Sequence, residues 1–298
     1  MSAACKISRL VSAMRCAQAL IKDLVCDPAA LADRAVNALI DEACLTPKPA
    51  LVDRRGSGAH RDLDLSIMLR SARSLQPAFV ALARASSNAQ PSQRLREQLA
   101  RIGREGEIAM MRATGGSNAH RGAIWIVGLL VAGAAMNPSA NLATICSQAA
   151  AISRFEDRCA PSAVTQTHGA RVIQKFGVAG ARGQAAEGFP HVLEIGLPAL
   201  RESRAKGAPE NAARLDALLA IIATLDDTCL LHRGGRIALE TAQSGAREAL
   251  QAGGASQAEG YAALLRLDQK LLQLNASPGG AADLLAATLF LDTLPCVG

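Results

Sequence analysis

The sequence predicts an all-α fold, a single compact multi-helix domain whose active site is formed by polar loops between the helices. Apolar residues recur at helical spacing along most of the chain, whereas convincing alternation of apolar and polar residues is absent. Alanine is abundant, which favours closely packed helices. At 298 residues, with 50% hydrophobic composition, the chain can bury a sizeable core. We therefore expect one domain over residues 1–298.

The individual helices can be placed from their apolar stripes. Each stripe repeats at intervals of three and four residues, the spacing that puts side chains on one helix face. The stripes lie at residues 36–44, 65–72, 95–102, 215–225 and 264–272. The first helix should end at the proline-containing segment 46–49, and segments 86–92 and 252–256 are predicted surface connections.

The uncharged run from Ala123 to Met136 is predicted to be a buried helix. It is shorter than the ~20 residues that a membrane-spanning helix needs, so we expect no membrane association. The N-terminus lacks the continuous apolar stretch of a signal peptide. The eight cysteines include no C-x-x-C pair, and we interpret them as reduced core residues of a cytoplasmic protein.

The charge balance indicates an anionic partner without identifying it. The formal net charge is +6, and most of the basic residues are arginine, which suits forked recognition of phosphates or carboxylates. A solvated surface shaped by genomic codon usage would explain the same excess. Aromatic residues make up only 2% of the chain, and no basic run is interleaved with them, so nucleic acid is not an expected partner.

Five polar segments interrupt the apolar background, and together they contain all five histidines. Their clustering favours a shared site over a scatter of surface residues. They span residues 42–64, 107–122, 165–191, 226–235 and 275–283.

Residues 114–122, TGGSNAHRG, immediately precede the apolar run and could bind a phosphate. The glycines Gly115 and Gly116 allow the backbone amides to approach a ligand closely, and Asn118 can cap the following helix. His120 and Arg121 would then add charge in its first turn, where anions bind well. A capped turn without a ligand is the simpler alternative. The segment is neither a Walker A loop nor a dinucleotide-binding fingerprint.

Residues 42–64 are predicted to form an ordered loop that enters a helix. Asp62 and Asp64 are two residues apart and do not share a helix face, so one of them can cap the helix while the other points elsewhere. As an isolated signal, an acid-capped helix start is the simpler interpretation of these acids.

Asp226 and Asp227 are adjacent carboxylates in an otherwise apolar stretch, and something must compensate them. Placed on a helix they would diverge by about 100°, so they could ligate two neighbouring ions, or one could ligate an ion directly while the other acts through water. Mg²⁺ often joins one or two carboxylates to substrate phosphates. Pairing with Arg233, Arg236 or another core arginine is the alternative, since buried ion pairs also keep acids charged. Mg²⁺ with a polyphosphate is the preferred hypothesis. The sequence contains no H-E-x-x-H zinc helix and no G-x-S-x-G nucleophile elbow.

Taken together, these segments resemble the triphosphoribosyl-dephospho-CoA synthase family, which makes the prosthetic-group precursor for the acyl carrier subunits of malonate decarboxylase and citrate lyase. The resemblance covers most of the chain. Its markers are EACLTPKPALVD (42–53), GAHRD (58–62), TGGSNAHRG (114–122), THG (167–169), GARGQAAEGFP (180–190), DDT (226–228), RGG (233–235) and SPGGAAD (277–283). Ala50, Arg121 and Gln184 depart from the family pattern, in which Gly, Lys and Glu are expected.

The resemblance implies a glycosyl transfer between two nucleotides. The ribose 2′-hydroxyl of dephospho-CoA would attack C1′ of ATP, and adenine would leave. Mg²⁺ is the implied cofactor, on Asp226 and Asp227, and the candidate acid or base residues are Glu42, Asp62 and Glu107. The candidate nucleotide-binding residues are Lys48, Gly115, Gly116, Asn118, His120, Arg121, His168, Arg182 and Arg233.

The expected partners are ATP, dephospho-CoA and a downstream transferase that loads the carrier protein. The segment 182–190 is slightly closer to malonate decarboxylase relatives than to citrate lyase relatives, so we expect the malonate decarboxylase system. Two other hypotheses remain open at this point. ADP-ribosyl-glycohydrolase-like enzymes also carry D-D-T motifs at a dimetal site acting on a ribose C1′, and a noncatalytic helical scaffold would need no site at all.

Overall fold

A computed structural model describes residues 27–137, 139–160 and 168–295 of the chain. These residues are predominantly helical, and the β-structure among them is confined to an isolated bridge between Asp53 and Gly56. The predicted all-α class is therefore confirmed. The prediction of one domain over residues 1–298 stays a prediction, since both termini lie outside the described residues.

The helices follow one another with short connections, and a π-helical turn at His191–Gly196 leads directly into α9. In chain order they are α1 (Pro28–Cys44), α2 (Leu65–Ser74), α3 (Gln76–Ser86), α4 (Gln93–Ala113), α5 (Arg121–Met136), α6 (Leu142–Ser153), α7 (His168–Phe176), α8 (Gly180–Ala186), α9 (Leu197–Ala205), α10 (Glu210–Thr224), α11 (Thr228–Gln251), α12 (Ala258–Gln273) and α13 (Gly279–Asp292).

The centre of the fold is built from α5 and α13, which are apolar on nearly every face. Helices that are hydrophobic all round are stable only when neighbours cover them. Here α5 packs against α3, α6 and α13, and α13 packs against α1 and α10. The predicted buried helix at 123–136 is confirmed as α5, most of whose residues are buried. No helix in the described ranges is long and apolar enough to cross a membrane.

Local capping explains where several helices begin. Asp64 accepts a hydrogen bond from the Ile67 amide at 2.8 Å and caps α2, while Asp62 is exposed, as predicted for two acids that cannot share a face. Inside α11, Gly235 has φ +63° and interrupts the helical geometry. The first turns of α11 can therefore face a different direction from the rest of this long helix.

The described cysteines are free thiols, but they do not all lie in the core. Cys146 is buried, whereas Cys159 is exposed, because it falls in a polar connection beyond α6 and not on an apolar helix face. The prediction of uniformly buried cysteines is wrong for Cys159. Cys5, Cys16, Cys26 and Cys296 lie outside the described residues.

Candidate active site

A cavity of about 260 Å³ brings together residues that are distant in sequence. Its walls are the end of α1, the segment 45–64, and the first turns of α5, α11 and α13. The predicted site residues that line it are Glu42, Lys48, Asn118, His120, Arg121 and Arg233. Those that do not are Asp62, Glu107, Gly115, Gly116, Arg182, Asp226 and Asp227. The side chain of His168 lies outside what the structure describes.

Three helix N-termini converge on this cavity. Residues at the start of α5, α11 and α13 all contribute to its lining, among them Gly122, Thr228 and Gly279. A helix N-terminus carries a partial positive charge and unpaired amides, and it attracts anions. The N-termini of α11 and α13 share the Asp227 carboxylate, which offsets part of their positive field.

A buried ion pair lies at the inner end of the cavity. Lys48 Nζ lies 2.5 Å from Glu42 Oε1, and the two side chains are 1% and 4% exposed. Both residues line the cavity, so this carboxylate and ammonium can meet a bound molecule. Burying two charges is tolerated only when they compensate each other.

The segment 45–64 is held in shape by a second set of charges that sequence reasoning did not identify. Asp53 Oδ2 accepts from the Lys48 amide at 2.9 Å and from Arg55 Nη2 at 2.8 Å. The other guanidinium arm of Arg55 reaches Asp268 Oδ2 at 2.8 Å, and Asp268 Oδ1 accepts from the Ala50 amide at 2.7 Å. These bonds fix the backbone on both sides of the Lys48–Pro49 step.

Ala50 also explains one departure from the family pattern. Its φ is +52°, in the left-handed region that glycine occupies without steric cost. The resemblance leads to an expectation of glycine at this position, and the backbone has kept the conformation that glycine favours.

His120 is the N-cap residue of α5 and is buried, with one ring nitrogen left without a partner. Its Nδ1 lies 2.6 Å from Ser71 Oγ, while Nε2 has no hydrogen-bond partner. Burial, with a smaller contribution from the Lys48 charge, lowers the pKa of His120 to about 3. The ring is therefore neutral, and the prediction that His120 adds positive charge for a phosphate is wrong.

The hydrogen-bond inventory assigns the protons of this pair. No other acceptor is found for the Ser71 hydroxyl among the described residues. We therefore assign Ser71 as the donor and His120 Nδ1 as the acceptor of this hydrogen bond. Nε2 then carries the ring hydrogen. Because His120 lines the cavity, a neutral donor is available there for an acceptor atom of a ligand.

A second histidine has its tautomer fixed by an arginine. Arg233 Nη2 donates to His60 Nδ1 at 3.1 Å, and a guanidinium can only donate. The hydrogen of His60 must therefore be on Nε2, which lies 3.1 Å from Ser277 Oγ and donates to it. Burial, then the charge of Arg233, lowers the pKa of His60 to about 4, which keeps the ring neutral.

The hydrogen bonds from Arg233 to His60 and from His60 to Ser277 determine what the Ser277 hydroxyl can do. His60 is a donor to the hydroxyl oxygen and cannot remove its proton, so Ser277 is not an activated nucleophile of the serine-hydrolase kind. Its hydroxyl hydrogen is free to donate to a ligand, since Ser277 also lines the cavity. Cys229 is no nucleophile either, because burial and then the charges of Asp227 and Asp283 raise the pKa of its thiol well above the ordinary value.

The two arginines of the lining are exposed and lie at the mouth of the cavity. Arg121 Nε donates to Glu107 Oε1 at 2.6 Å, and the Arg121 amide donates to Asn118 Oδ1 at 3.2 Å. Asn118 thus bonds the first amide of α5, although the N-cap position itself is His120. Arg233 Nη1 donates to the Ala59 carbonyl at 2.9 Å. Glu107 orients Arg121 and is not itself part of the lining.

Gly115 and Gly116 end α4 and do not form a phosphate loop. Their amides donate to the carbonyls of Arg112 and Met111, at 3.4 and 2.8 Å, and both residues are exposed away from the cavity. These amides are therefore not free to bind a phosphate. Arg182, on α8, is also exposed and outside the lining. Sequence reasoning placed Gly115 and Gly116 at the site because it could not tell whether the amides of this turn face a ligand or close the preceding helix.

Asp226 and Asp227 lie in the connection between α10 and α11, so the prediction that they are helical is wrong. Asp227 is 2% exposed and compensated by backbone amides. Its Oδ1 accepts from Cys229 at 2.7 Å, and its Oδ2 accepts from Ala281 at 2.9 Å. The carboxylate joins the N-termini of α11 and α13, which is a form of compensation that neither sequence hypothesis included. Burial raises the pKa of Asp227, while these amide bonds oppose the shift.

The donor set around the two acids does not fit a Mg²⁺ ion shared between them. Both Asp227 oxygens accept amide hydrogens, and Asp226 is exposed and outside the cavity lining. Within the described ranges no group of three His, Cys, Asp or Glu side chains is arranged to hold a metal ion. The Mg²⁺ role of this pair stays a prediction, and no step below depends on it.

Comparison with known proteins decides between the hypotheses that the sequence left open. The family model of ATP:dephospho-CoA triphosphoribosyl transferases, CitG, matches residues 28–297. The chain belongs to the CitG family. It is therefore an enzyme of the transferase class, and a noncatalytic scaffold is excluded.

Curated relatives are similar to this CitG-family chain along nearly their full length. A probable 2-(5″-triphosphoribosyl)-3′-dephosphocoenzyme-A synthase of Azotobacter vinelandii is 59% identical over 271 residues, which cover 90% of this chain and 92% of the relative. Proteins of the same name are 56% identical in Stutzerimonas stutzeri, with 89% and 91% covered, and 57% identical in Pseudomonas fluorescens, again with 89% and 91% covered. No solved structure matches the chain.

Membership of the CitG family also removes the basis of the glycohydrolase hypothesis. That hypothesis depended on the short motif at 226–228 as a dimetal site, and Asp227 there caps two helices. Gln184, the other departure from the family pattern, lies outside the cavity. It contacts His191 Nδ1 through Nε2 at 2.9 Å, so its amide supports a local turn beyond α8.

The cavity of this CitG-family enzyme has one further lining acid, Asp283, for which the sequence motifs predicted no role. Asp283 is the fifth residue of α13, which has no other charged residue before Asp292. A single carboxylate in an apolar helix is the same signal that drew attention to Asp226 and Asp227. Applied consistently, it would have identified Asp283 from the sequence.

Proposed function

We propose that the enzyme transfers the triphosphoribosyl group of ATP to the ribose 2′-hydroxyl of 3′-dephospho-CoA, with release of adenine. The observation that carries the proposal is the convergence of three helix N-termini on a cavity lined by Lys48, Arg121 and Arg233. A triphosphate carries about four negative charges, and such donors and cations stabilise them in a partly water-excluded site.

The same cavity contains a carboxylate beside the expected reaction centre. Glycosyl transfer passes through an oxocarbenium-like centre at C1′, which a nearby carboxylate stabilises. Glu42 is a buried carboxylate that lines the cavity, and Lys48 holds it in place at 2.5 Å. We assign Glu42 the role of accepting the proton of the attacking 2′-hydroxyl. Asp62 and Glu107 lie outside the lining and are not part of this proposal.

Neutral donors complete the recognition of the nucleotide. His120 Nε2 and the Ser277 hydroxyl can each donate to an acceptor atom without adding charge. We propose that they contact the adenine or ribose of a substrate, while the cations and helix N-termini contact its phosphates. Mg²⁺ would enter with the ATP triphosphate and neutralise part of its charge.

Mass spectrometry of the reaction products tests the proposal. We expect the purified protein, incubated with ATP, dephospho-CoA and Mg²⁺, to form free adenine and a triphosphoribosyl adduct of dephospho-CoA in equal amounts. Omitting dephospho-CoA should abolish both products. Free ribose triphosphate in place of the adduct would indicate hydrolysis and overturn the proposal.

We further propose that the product serves the carrier protein of malonate decarboxylase through a downstream prosthetic-group transferase. The support is the likeness of the segment 182–190 to malonate decarboxylase relatives. Examination of the neighbouring genes tests this assignment. Genes for malonate decarboxylase subunits would support it, and genes for citrate lyase subunits would contradict it.

A further inference from the structure

Asp283 is positioned in the cavity by contact with the start of another helix. It is the fifth residue of α13, just beyond the first turn, and its carboxyl reaches the backbone of α5 at Gly122. A Cβ atom at Gly122 would overlap Asp283 Oδ2, so this approach is possible only with glycine there. Both residues line the cavity. The carboxyl is therefore held against a helix N-terminus at the place where a ligand would bind.

The electrostatic surroundings of Asp283 differ from those of Glu42. Glu42 has Lys48 as its ion-pair partner, whereas none of the ion pairs found among the described residues includes Asp283. Burial, followed by the charges of Glu42 and Asp227, raises the pKa of Asp283 well above the ordinary value, and the Ala123 amide opposes the shift only in part. These surroundings favour the protonated form of the Asp283 carboxyl.

A separate observation shows that the cavity is built to receive a ligand. His120 is 3% exposed, and its Nε2 has no partner although it is enclosed by protein. A buried donor of this kind costs about 1–3 kcal/mol if it stays unsatisfied, so such atoms usually have a partner in the functional state. His120 lines the same cavity as Asp283, at the same end of α5.

We propose that Asp283 is the general acid of the triphosphoribosyl transfer, and that it protonates adenine as the base departs. The inference rests on the proposed function, and it adds a catalytic residue that sequence reasoning did not assign.

The bonds and protons of the step balance between two carboxyl groups. The C1′–N9 bond of ATP breaks, its electron pair stays on adenine, and adenine takes the proton of Asp283. The 2′-oxygen of dephospho-CoA forms the new bond to C1′ and gives its proton to Glu42. The net change moves one proton from the hydroxyl to adenine. Exchange with solvent after product release then returns a proton to Asp283 and removes one from Glu42.

Three of the other polar groups around Asp283 are poorer acids. His60 and His120 are neutral, and a neutral imidazole gives up its remaining proton only with great difficulty. The Cys229 thiol keeps its proton strongly. The titratable and charged groups that face the cavity from the surrounding elements are Glu42, Lys48, His60, His120, Arg121, Cys229, His232 and Arg233, with Asp227 behind them.

The test compares the wild type with Asp283→Asn in the adenine-release assay. Asparagine has nearly the shape of a neutral aspartic acid, so the fold should be kept. We expect kcat to fall roughly 100-fold or more, as for loss of a general acid, with KM for ATP changed less than about threefold. Asp33→Asn, which removes an exposed acid of α1, is the matched control and should keep full activity.

The pH profile separates a catalytic role from a structural one. Since the acid form is required, wild-type kcat should fall as pH rises through the pKa of Asp283, and this alkaline limb should be absent from the residual activity of the variant. The ATP-induced rise in melting temperature should persist in Asp283→Asn and in a second variant, Asp283→Ser.

Three results would overturn the proposal. The first is a variant kcat within about threefold of the wild type. The second is an unchanged alkaline limb in the variant. The third is loss of the ATP-induced stabilisation in both variants, which would assign Asp283 a structural role. A wild-type protein that releases no adenine would instead refute the proposed function, and so the two failures can be told apart.

Discussion

Lys48 Nζ and Glu42 Oε1 lie 2.5 Å apart in a part of the molecule where neither side chain is more than 4% exposed. Glu42 is fixed in the last turn of α1, whereas Lys48 lies in the segment 45–64. The ion pair therefore joins a helix to a loop that has no regular secondary structure of its own. Because both groups also line the cavity, a substitution at either one should change the stability of the protein as well as its activity.

Replacement of Lys48 by methionine should destabilise the protein and abolish activity. The substitution leaves Glu42 as an unpaired buried charge, and breaking a buried pair in this way costs about 3–5 kcal/mol. We expect the free energy of unfolding, measured in urea, to fall by this order. Adenine release should also be lost, since Lys48 lies among the phosphate-binding groups.

The double variant Lys48→Met with Glu42→Gln separates these two effects. With both charges removed, most of the lost stability should return, because a neutral pair has a far smaller desolvation cost. Activity should stay absent if Glu42 accepts the hydroxyl proton. An active double variant would contradict the role given to Glu42.

The fold could be predicted from the sequence further than the site could. Apolar periodicity is set by the core, so α1, α5 and α12 were found where their stripes lie. Capping at Asp64 followed from local geometry in the same way. The sequence does not show which way the backbone amides of a turn point. Whether Gly116 ends α4 or opens a ligand loop depends on which carbonyl its amide reaches, and tertiary structure determines that carbonyl.

The same limit explains why the compensation of Asp227 was not predicted. Sequence reasoning recognised that buried carboxylates need compensation, but its hypotheses named only cations as the compensating groups. In the structure Asp227 is compensated by the amides of two helices, one of which begins more than fifty residues later in the chain. Long-range convergence of helix ends leaves no periodic trace in the sequence.

Asp227→Asn and Asp226→Asn should have very different effects on stability. Both Asp227 oxygens accept amide hydrogens, and an asparagine can satisfy only one of them. Leaving a buried amide unpaired should lower the free energy of unfolding by about 1–3 kcal/mol. Asp226 is exposed, so its replacement should change the unfolding free energy by less than about 0.5 kcal/mol.

Magnesium titration of the same two variants tests the ligand prediction. If Asp227 is a helix cap, the Mg²⁺ concentration that gives half of the maximal adenine release should not change in Asp227→Asn. A tenfold or greater increase, on the order expected for a lost ligand interaction, would show that it binds the metal. Asp226→Asn is measured in the same way, and each residue is judged by its own titration.

His60 and His120 should each reduce stability as the pH falls from about 6.5 toward 4. Their pKa values are lowered to about 4 and about 3 in the folded state, from the ordinary histidine value of 6.5. Between these values the unfolded chain binds more protons at the two histidines than the folded chain does, so their titration favours unfolding in acid. The pKa values of Asp227 and Asp283 are raised, and their titration contributes in the opposite direction. Urea unfolding at a series of pH values therefore measures a histidine contribution as the difference between the wild type and a variant.

The variant His60→Gln provides the check on that assignment. Glutamine keeps hydrogen-bonding capacity but does not titrate, so the difference in stability between the variant and the wild type should shift in favour of the variant as the pH falls from 6.5 to 4. A difference that does not change with pH would show that His60 does not contribute. The rest of the pH dependence is then expected to come from His120 and from the carboxyls of Asp227 and Asp283.

Gly58→Ala should disrupt the segment that places Lys48 and His60. Gly58 has φ +56°, and a Cβ atom there would overlap the Ala50 carbonyl, which is backbone and cannot rotate away. Gly207→Ala is the matched control, since Gly207 has φ +81° but open space around it. We expect the control to cost about 1–2 kcal/mol from the left-handed backbone alone, and Gly58→Ala to cost clearly more. Equal losses in urea unfolding would argue against the steric contact.

Gly122→Ala should impair catalysis with little loss of stability. The new methyl group would overlap Asp283 Oδ2, and the carboxyl must rotate out of its place because the α5 backbone cannot move as easily. Gly103→Ala is the control, since its Cβ would meet only Ile124 Cγ2 at 3.8 Å. Alanine favours a helix over glycine by about 1 kcal/mol, so neither variant should unfold more readily. We expect kcat for adenine release to fall at least tenfold, about 1.4 kcal/mol of activation free energy, in Gly122→Ala alone. Full activity in that variant would mean that the position of the Asp283 carboxyl is unimportant for the transfer.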